Sequence, residues 1–170
     1  MLMKKMEAAL IDQINFELYS AYLYGSMVAY FESLQLPGFS NWMRVQIQEE
    51  MFHATKLFNF VFERDGRVKL KAIGEPPFEW KSPLDAFEEA HKHECLVSKR
   101  IHAIVDLARK EKDHAVESFL QWFVTEQIEE EASTKNISQQ LRFIGRDPHA
   151  LFMIDRELAQ RVYTPPPAQP

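Results

Sequence analysis

Residues 48–53 read Gln48-Glu49-Glu50-Met51-Phe52-His53 and put two carboxylates and an imidazole into a run that otherwise has the pattern of a buried helix side. Glu50 and His53, three residues apart, share one helix face. An uncompensated charge in an apolar core is costly, so an acid on the core stripe needs a partner, and an acid beside an imidazole points to a metal ion. The stripe itself is regular: Met43, Ile47, Glu50, Ala54, Leu57 and Val61 recur at alternating steps of four and three.

The same steps run upstream. From about Lys5 to Leu34 they pick out Leu10, Ile14, Glu17, Ala21, Tyr24, Val28 and Phe31, so Glu17 also lies on a core stripe. Leu36-Pro37-Gly38 ends that helix, and Ser40 or Asn41 is the expected cap of the next. Downstream, the second helix ends near Asp65-Gly66. About seventeen residues without a period follow, and a connection that long within one domain fits a crossover running the length of a four-helix bundle.

Ser82-Pro83-Leu84-Asp85 reads as N-cap, first-turn proline and first-turn acid. A third helix then carries Phe87, His91, Glu94, Ser98, Ile101, Val105 and Ala108 on its stripe, and the charges of Lys110 to Asp113 mark a short turn. A fourth carries Val116, Leu120, Phe123, Gln127, Glu130, Thr134, Ile137, Leu141 and Ile144. Gly145-Arg146 closes it, Asp147-Pro148 opens a short fifth helix to about Gln160, and Thr164 to Pro170 is a Pro-rich tail expected to be disordered. The fold class is therefore all-α: a four-helix bundle with a long crossover between helices two and three and a short C-terminal fifth helix, one domain over residues 1–163 with a tail at 164–170.

Composition agrees. Only five glycines in 170 residues, with 46% hydrophobic residues, suit one helical domain with a well-filled core. A net charge of −5 argues against nucleic acid as the main partner. A single cysteine, Cys95, cannot form an internal disulfide and fits a reducing compartment. The first residues lack the apolar run of a signal peptide and no stretch has the length of a membrane span, so the expected location is cytoplasmic, with no membrane partner.

An internal repeat ties the polar intruders together. The separations 94 − 17, 127 − 50 and 130 − 53 all equal 77, pairing Glu17 with Glu94, Glu50 with Gln127 and His53 with Glu130, and Glu49 with Glu126 repeats the interval. Two helix pairs, each giving one acid from its first helix and an i, i+3 pair from its second, make the ligand pattern of a carboxylate-bridged two-metal site in a bundle core. Carboxylate oxygen with one imidazole and no thiolate suits iron(II) or manganese(II) better than structural zinc. One cysteine cannot build the additional Cys-x-x-Cys iron site of a rubrerythrin-like protein.

Glu17, Tyr24, the run Glu49-Glu50-Met51-Phe52-His53, Glu94 and the segment from Phe119 to Glu131 together closely resemble the bacterial non-haem ferritins. The resemblance spans the first 160 or so residues and implies the ferritin-like bundle. It also implies a homo-oligomeric shell of 24 subunits that takes in iron(II), oxidises it with dioxygen or hydrogen peroxide at a dinuclear ferroxidase centre, and stores a ferric oxyhydroxide mineral. Carried over by position, Glu17, Glu50 and His53 hold the first iron, and Glu50, Glu94 and Glu130 the second. Gln127 is a hydrogen-bonding neighbour of the second iron, standing where haem-containing relatives have an acid. Glu49, Glu126, Glu129 and Glu130 match a third iron site, although Glu129 and Glu131 also read as a solvated acidic face. Tyr24 and Trp122 match aromatics beside the centre that either donate an extra electron or only pack. His91 is a candidate neighbour of Glu94 or an ordinary satisfied histidine. Asp113, His114 and Glu117 lie where such shells have three-fold channels, or they merely cap a helix.

Two relatives compete. Haem-containing bacterioferritins place a haem-ligating methionine at the position of Met51, but carry Glu-x-x-His where this chain has Gln127-Ile128-Glu129-Glu130. Haem is therefore not expected. DNA-protecting mini-ferritins lack the fifth helix, build their iron site between subunits and often have Lys-rich tails, unlike the uncharged tail here. A diiron oxygenase would need a substrate pocket that no sequence feature shows.

Overall fold

The structure is a computed structural model that describes residues 2–165. Among them are five helices and no strand: α1 Lys4–Ser33, α2 Pro37–Glu63, α3 Pro83–Glu111, α4 His114–Ile144 and α5 Pro148–Leu158. The expectation of a disordered tail falls, from residue 166 onward, outside the described residues. α1 lies along α2 and α3 along α4; α1 also approaches α3, and α5 rests against α2 and α4.

Two apolar clusters fill the bundle. One joins Leu23 to Phe31 of α1 with Phe39 and Met43 of α2, Phe87 of α3, Leu141 of α4 and Leu158 of α5. The other joins Leu10 and Ile14 with Leu57, Ile101, Val116 and Phe123. The starts of α2 and α3 thus share a cluster with the ends of α1 and α4, so α2 and α3 run antiparallel to α1 and α4. The 64–82 connection must then travel the bundle's length, as its length implies. Polar residues on the outer face of α1 hold it: Glu7 accepts from Arg67 N (2.7 Å), Asn15 Oδ1 from Lys71 N (2.8 Å), and Ser26 Oγ donates to Pro77 O (2.6 Å).

Several helix ends follow the local sequence. Ser82 Oγ accepts from Asp85 N (3.1 Å), Asp113 caps α4 through Val116 N (3.2 Å), and Asp147 caps α5 through His149 N (2.9 Å). The start of α2 departs from it. Neither Ser40 nor Asn41 is the cap: Pro37 is already helical, Leu36 holds the cap position without a side-chain bond, and the free N–H groups of Gly38 and Phe39 donate to Asp155 Oδ1 of α5 at 2.8 and 3.1 Å. Asn41 instead donates to the carbonyls of Leu158 (3.2 Å) and Arg161 (2.9 Å), satisfying the end of α5. A Cβ at residue 38 would lie 1.6 Å from Asp155 O, so the contact requires glycine.

Candidate metal centre

Between the two apolar clusters lies one polar layer, supplied by the middle of all four long helices. Glu17, Glu50, His53, Glu94, Gln127 and Glu130 are all buried there, together with Tyr24. All but His53, which lies beside the α2 stripe, sit on their helix's core stripe, so the same periodicity that buries leucines elsewhere buries carboxylates here.

Glu17, Glu50 and His53 each bring a ligand atom within 4.8 Å of the other two. Among the described residues Glu17 Oε2, Glu50 Oε2 and His53 Nδ1 have no hydrogen-bond partner, and His53 Nδ1 lies 3.6 Å from Glu50 Oε2. Buried polar atoms are nearly always paired, and unpaired atoms on three residues whose ligand atoms cluster within 4.8 Å are what a cation would satisfy. The donor set, two carboxylates and one imidazole, fits a divalent transition metal. His53 also belongs to a second group, with Glu126 and Glu130, whose ligand atoms again lie within 4.8 Å of one another.

Glu94 is held differently. Tyr24 O–H donates to its Oε1, and Gln127 Nε2 donates to its Oε2 (3.2 Å) and to its backbone carbonyl (3.3 Å). Gln127 is thus a hydrogen-bonding neighbour of an acid. Glu50, Glu94 and Glu130 bear on one another electrostatically, yet among the described residues they do not form a trio as tight as the two above.

Burial governs the protonation of this layer. It pushes Glu17 up and Glu50 and Glu130 well above the ordinary carboxyl value, with neighbouring carboxylates adding to the rise for Glu50 and Glu130. Burial likewise raises Glu94 to about 7, and it lowers His53 to about 4, leaving a neutral imidazole at pH 7. A divalent cation reverses the carboxyl shifts by supplying the missing positive charge.

Supporting groups surround the acids. Gln13 Nε2 donates to Glu17 Oε1 (2.9 Å) and its own oxygen accepts from Arg100 Nε (2.9 Å). Gln46 Nε2 donates to Glu130 Oε2 (2.9 Å). Sequence reading passed over both glutamines, although each lies one helical turn before a stripe acid. It also passed over His93, whose Nε2 is 2.7 Å from Ser20 Oγ and whose ring stacks on Phe16. His91, by contrast, faces Thr134 Oγ1 (3.2 Å) and Cys95 Sγ (3.8 Å), with no hydrogen bond to Glu94.

Trp122 is edge-on to His53, 5.5 Å between ring centres. Glu126 is half-buried and Glu129 exposed, while Glu49 is paired with Arg161 Nη2 at 2.6 Å. At the start of α4, Asp113 is bound by both terminal nitrogens of Arg64 (3.1 and 3.2 Å) and Glu117 by Arg109 (2.7 Å), while His114 is exposed. Met51 is 45% exposed and lines a groove of about 470 Å³ with Leu18, Ala21, Tyr22 and Ile73.

Two helices running up and two running down around a buried, carboxylate-rich layer with a single imidazole define a metal-binding bundle protein of the ferritin-like class. Residues 7–144 match the family model described as the ferritin-like domain, and the chain belongs to that family. It is 41% identical over 161 residues to the bacterial non-heme ferritin of Bacteroides fragilis, covering 95% of this chain and 100% of that protein. It is 36% identical over 163 residues to that of Staphylococcus aureus, covering 96% and 98%. Among solved structures it is similar to an open-pore ferritin from the hyperthermophilic archaeon Archaeoglobus fulgidus, at 58% identity and a TM-score of 0.94 over 95% of this chain and 100% of that one. An engineered closed form of the A. fulgidus ferritin gives 0.95, at 58% identity over 96% and 100%. Among the described residues no helix is long and apolar enough to cross a membrane.

Proposed function

We propose that this protein is a ferroxidase and iron store, an iron(II):oxygen oxidoreductase whose substrate is also its cargo. The observation that carries the reading is that Glu17, Glu50 and His53 bring ligand atoms within 4.8 Å of one another, while each keeps a buried polar atom without a partner among the described residues. In this reading they receive the first iron(II). Glu50, Glu94 and Glu130 receive the second, with Glu50 as the bridge and Gln127 steadying Glu94. Each iron gives one electron to dioxygen, which takes up two protons and leaves as hydrogen peroxide. Peroxide can in turn accept two electrons from a further iron pair and two protons from solvent, giving two waters.

The protein's share of the chemistry is to hold two ions side by side and to offset their charge as it rises from two to three. Four carboxylates in a low-dielectric layer favour the more highly charged product. That preference lowers the barrier to electron loss. Glu126, Glu129, Glu130 and Glu49 then form a third site on the way to the interior of a shell of 24 identical subunits, where iron(III) hydrolyses to oxyhydroxide. Tyr24, hydrogen-bonded to Glu94, is placed in this reading to give dioxygen a third electron, which with a fourth from a third-site iron(II) and four protons from solvent carries it to two waters. No haem is assigned to Met51; purified protein is expected to show no Soret band.

Aerobic iron(II) added to metal-free protein should be oxidised in a fast phase saturating at two irons per chain, and should sediment with a particle many times the 20.0 kDa chain mass. Oxidation no faster than in buffer, or a monomeric particle, would overturn the proposal.

A further inference from the structure

Glu49, one of the carboxylates assigned to the third site, already has a cation. Arg161, three residues beyond the end of α5, places Nη2 2.6 Å from Glu49 Oε2 and donates from Nη1 to Trp42 O at 3.3 Å. Its guanidinium lies over the Trp42 ring, 4.3 Å from the centroid. Its own carbonyl accepts from Asn41 Nδ2 at 2.9 Å, so backbone and side chain are both seated. Glu49 is electrostatically coupled to Glu126 and Glu129 as well, and the Arg161 charge also acts on Glu130. One arginine therefore bears on two of the four acids assigned to the third site, and binds one of them directly.

We propose that Arg161 is a tethered counter-ion that competes with metal for Glu49 and so keeps the third site weak. The proposal rests on the reading of Glu49 as a third-site ligand. Three features support it. One guanidinium N–H already occupies Oε2 of the carboxylate that a metal would need, while the other terminal nitrogen is anchored on the Trp42 carbonyl. Arg161 and Glu49 side chains are 23% and 22% exposed, so the pair is reachable by a solvated ion and, being partly in water, is only modestly held. The arginine is carried by the segment after α5 and touches α2 only at Asn41, Trp42 and Glu49, none of them in the buried polar layer, so its side chain can leave Glu49 without disturbing the ligands there. A site that must pass iron onward has to release it, and a resident cation that re-takes Glu49 opposes retention.

Zinc titration of the assembled metal-free protein, followed by calorimetry, tests this without any redox step. Native protein should take two zinc ions per chain tightly and a third weakly. Arg161→Gln should tighten the third step about tenfold, the equivalent of about 1.4 kcal/mol, and leave the first two unchanged. Arg161→Lys, which keeps the charge, should stay close to native. Arg161→Met, which keeps the stem against Trp42, serves if the Gln variant does not assemble. Glu49→Gln should abolish the third step in every background. A third step unchanged in the Gln and Met variants but lost in Glu49→Gln overturns the role of Arg161 and leaves the third site standing. A third step that survives Glu49→Gln overturns the assignment of Glu49, and the proposal with it.

Discussion

Asp155 of α5 accepts hydrogen bonds from the backbone of Gly38, 117 residues earlier, at 2.8 Å, and so caps a helix to which it does not belong. This bond, with that to Phe39, fastens the fifth helix to the bundle and satisfies the two first-turn N–H groups of α2 that follow Pro37, which has none of its own. Asp155→Ala is expected to cost about 1–2 kcal/mol, the usual penalty for losing a helix cap. Gly38→Ala should cost more, because its Cβ would stand 1.6 Å from a backbone carbonyl. Chemical unfolding monitored by circular dichroism measures both.

Glu50 has opposite effects on stability and on metal binding. Without metal its carboxylate is buried, partly unpaired and surrounded by other acids. Glu50→Gln should therefore raise the melting temperature of metal-free protein while slowing the fast phase of iron oxidation by about a hundredfold. Calorimetry on metal-free samples and stopped-flow absorbance give the two readings; a variant both less stable and fully active would refute the assignment.

The pH dependence of metal-free stability has a definite sign. Glu94 has a folded value of about 7 against an ordinary 4.5, so between these limits the folded state binds more protons than the unfolded one. Its contribution is intact below about 4.5 and is lost as pH rises through about 7. Native protein should therefore lose stability relative to Glu94→Gln, which cannot ionise, as pH rises across that window. Saturating zinc should remove the slope. Melting temperatures of both proteins at half-unit steps of pH check it.

Gln13 links surface to centre, taking a hydrogen bond from Arg100 and giving one to Glu17. Gln13→Leu should leave the fold intact but weaken metal at the first position about tenfold, since an acid no longer held in place must be ordered by the metal itself. Zinc affinity of the first step, by competition with a chromophoric chelator, is the measurement.

Much of this molecule could be read along the chain. The alternating steps of four and three placed Glu17, Glu50, Glu94 and Glu130 on core stripes, and all four are buried in one layer. The Ser82 cap and the Asp147 cap were equally legible, because a cap bonds within its own first turn. The start of α2 was not: its cap comes from Asp155, which no local pattern connects to Leu36-Pro37-Gly38. Likewise His91, on the α3 stripe one turn before Glu94, turns to Thr134, a choice set by the neighbouring helix.

The sequence by itself determined which residues are buried and at what depth, since periodicity and the 77-residue repeat are properties of the chain and hydrophobic burial follows them. It therefore determined the bundle, the crossover and the presence of a polar layer. Only the tertiary structure decided the partners within that layer: that Tyr24 and Gln127 hold Glu94, that Glu17, Glu50 and His53 leave three atoms unpaired, and that Arg161 takes Glu49. Hydrogen bonds and ion pairs act over about 3 Å and depend on direction, so they are settled only when distant segments have been packed to within that distance.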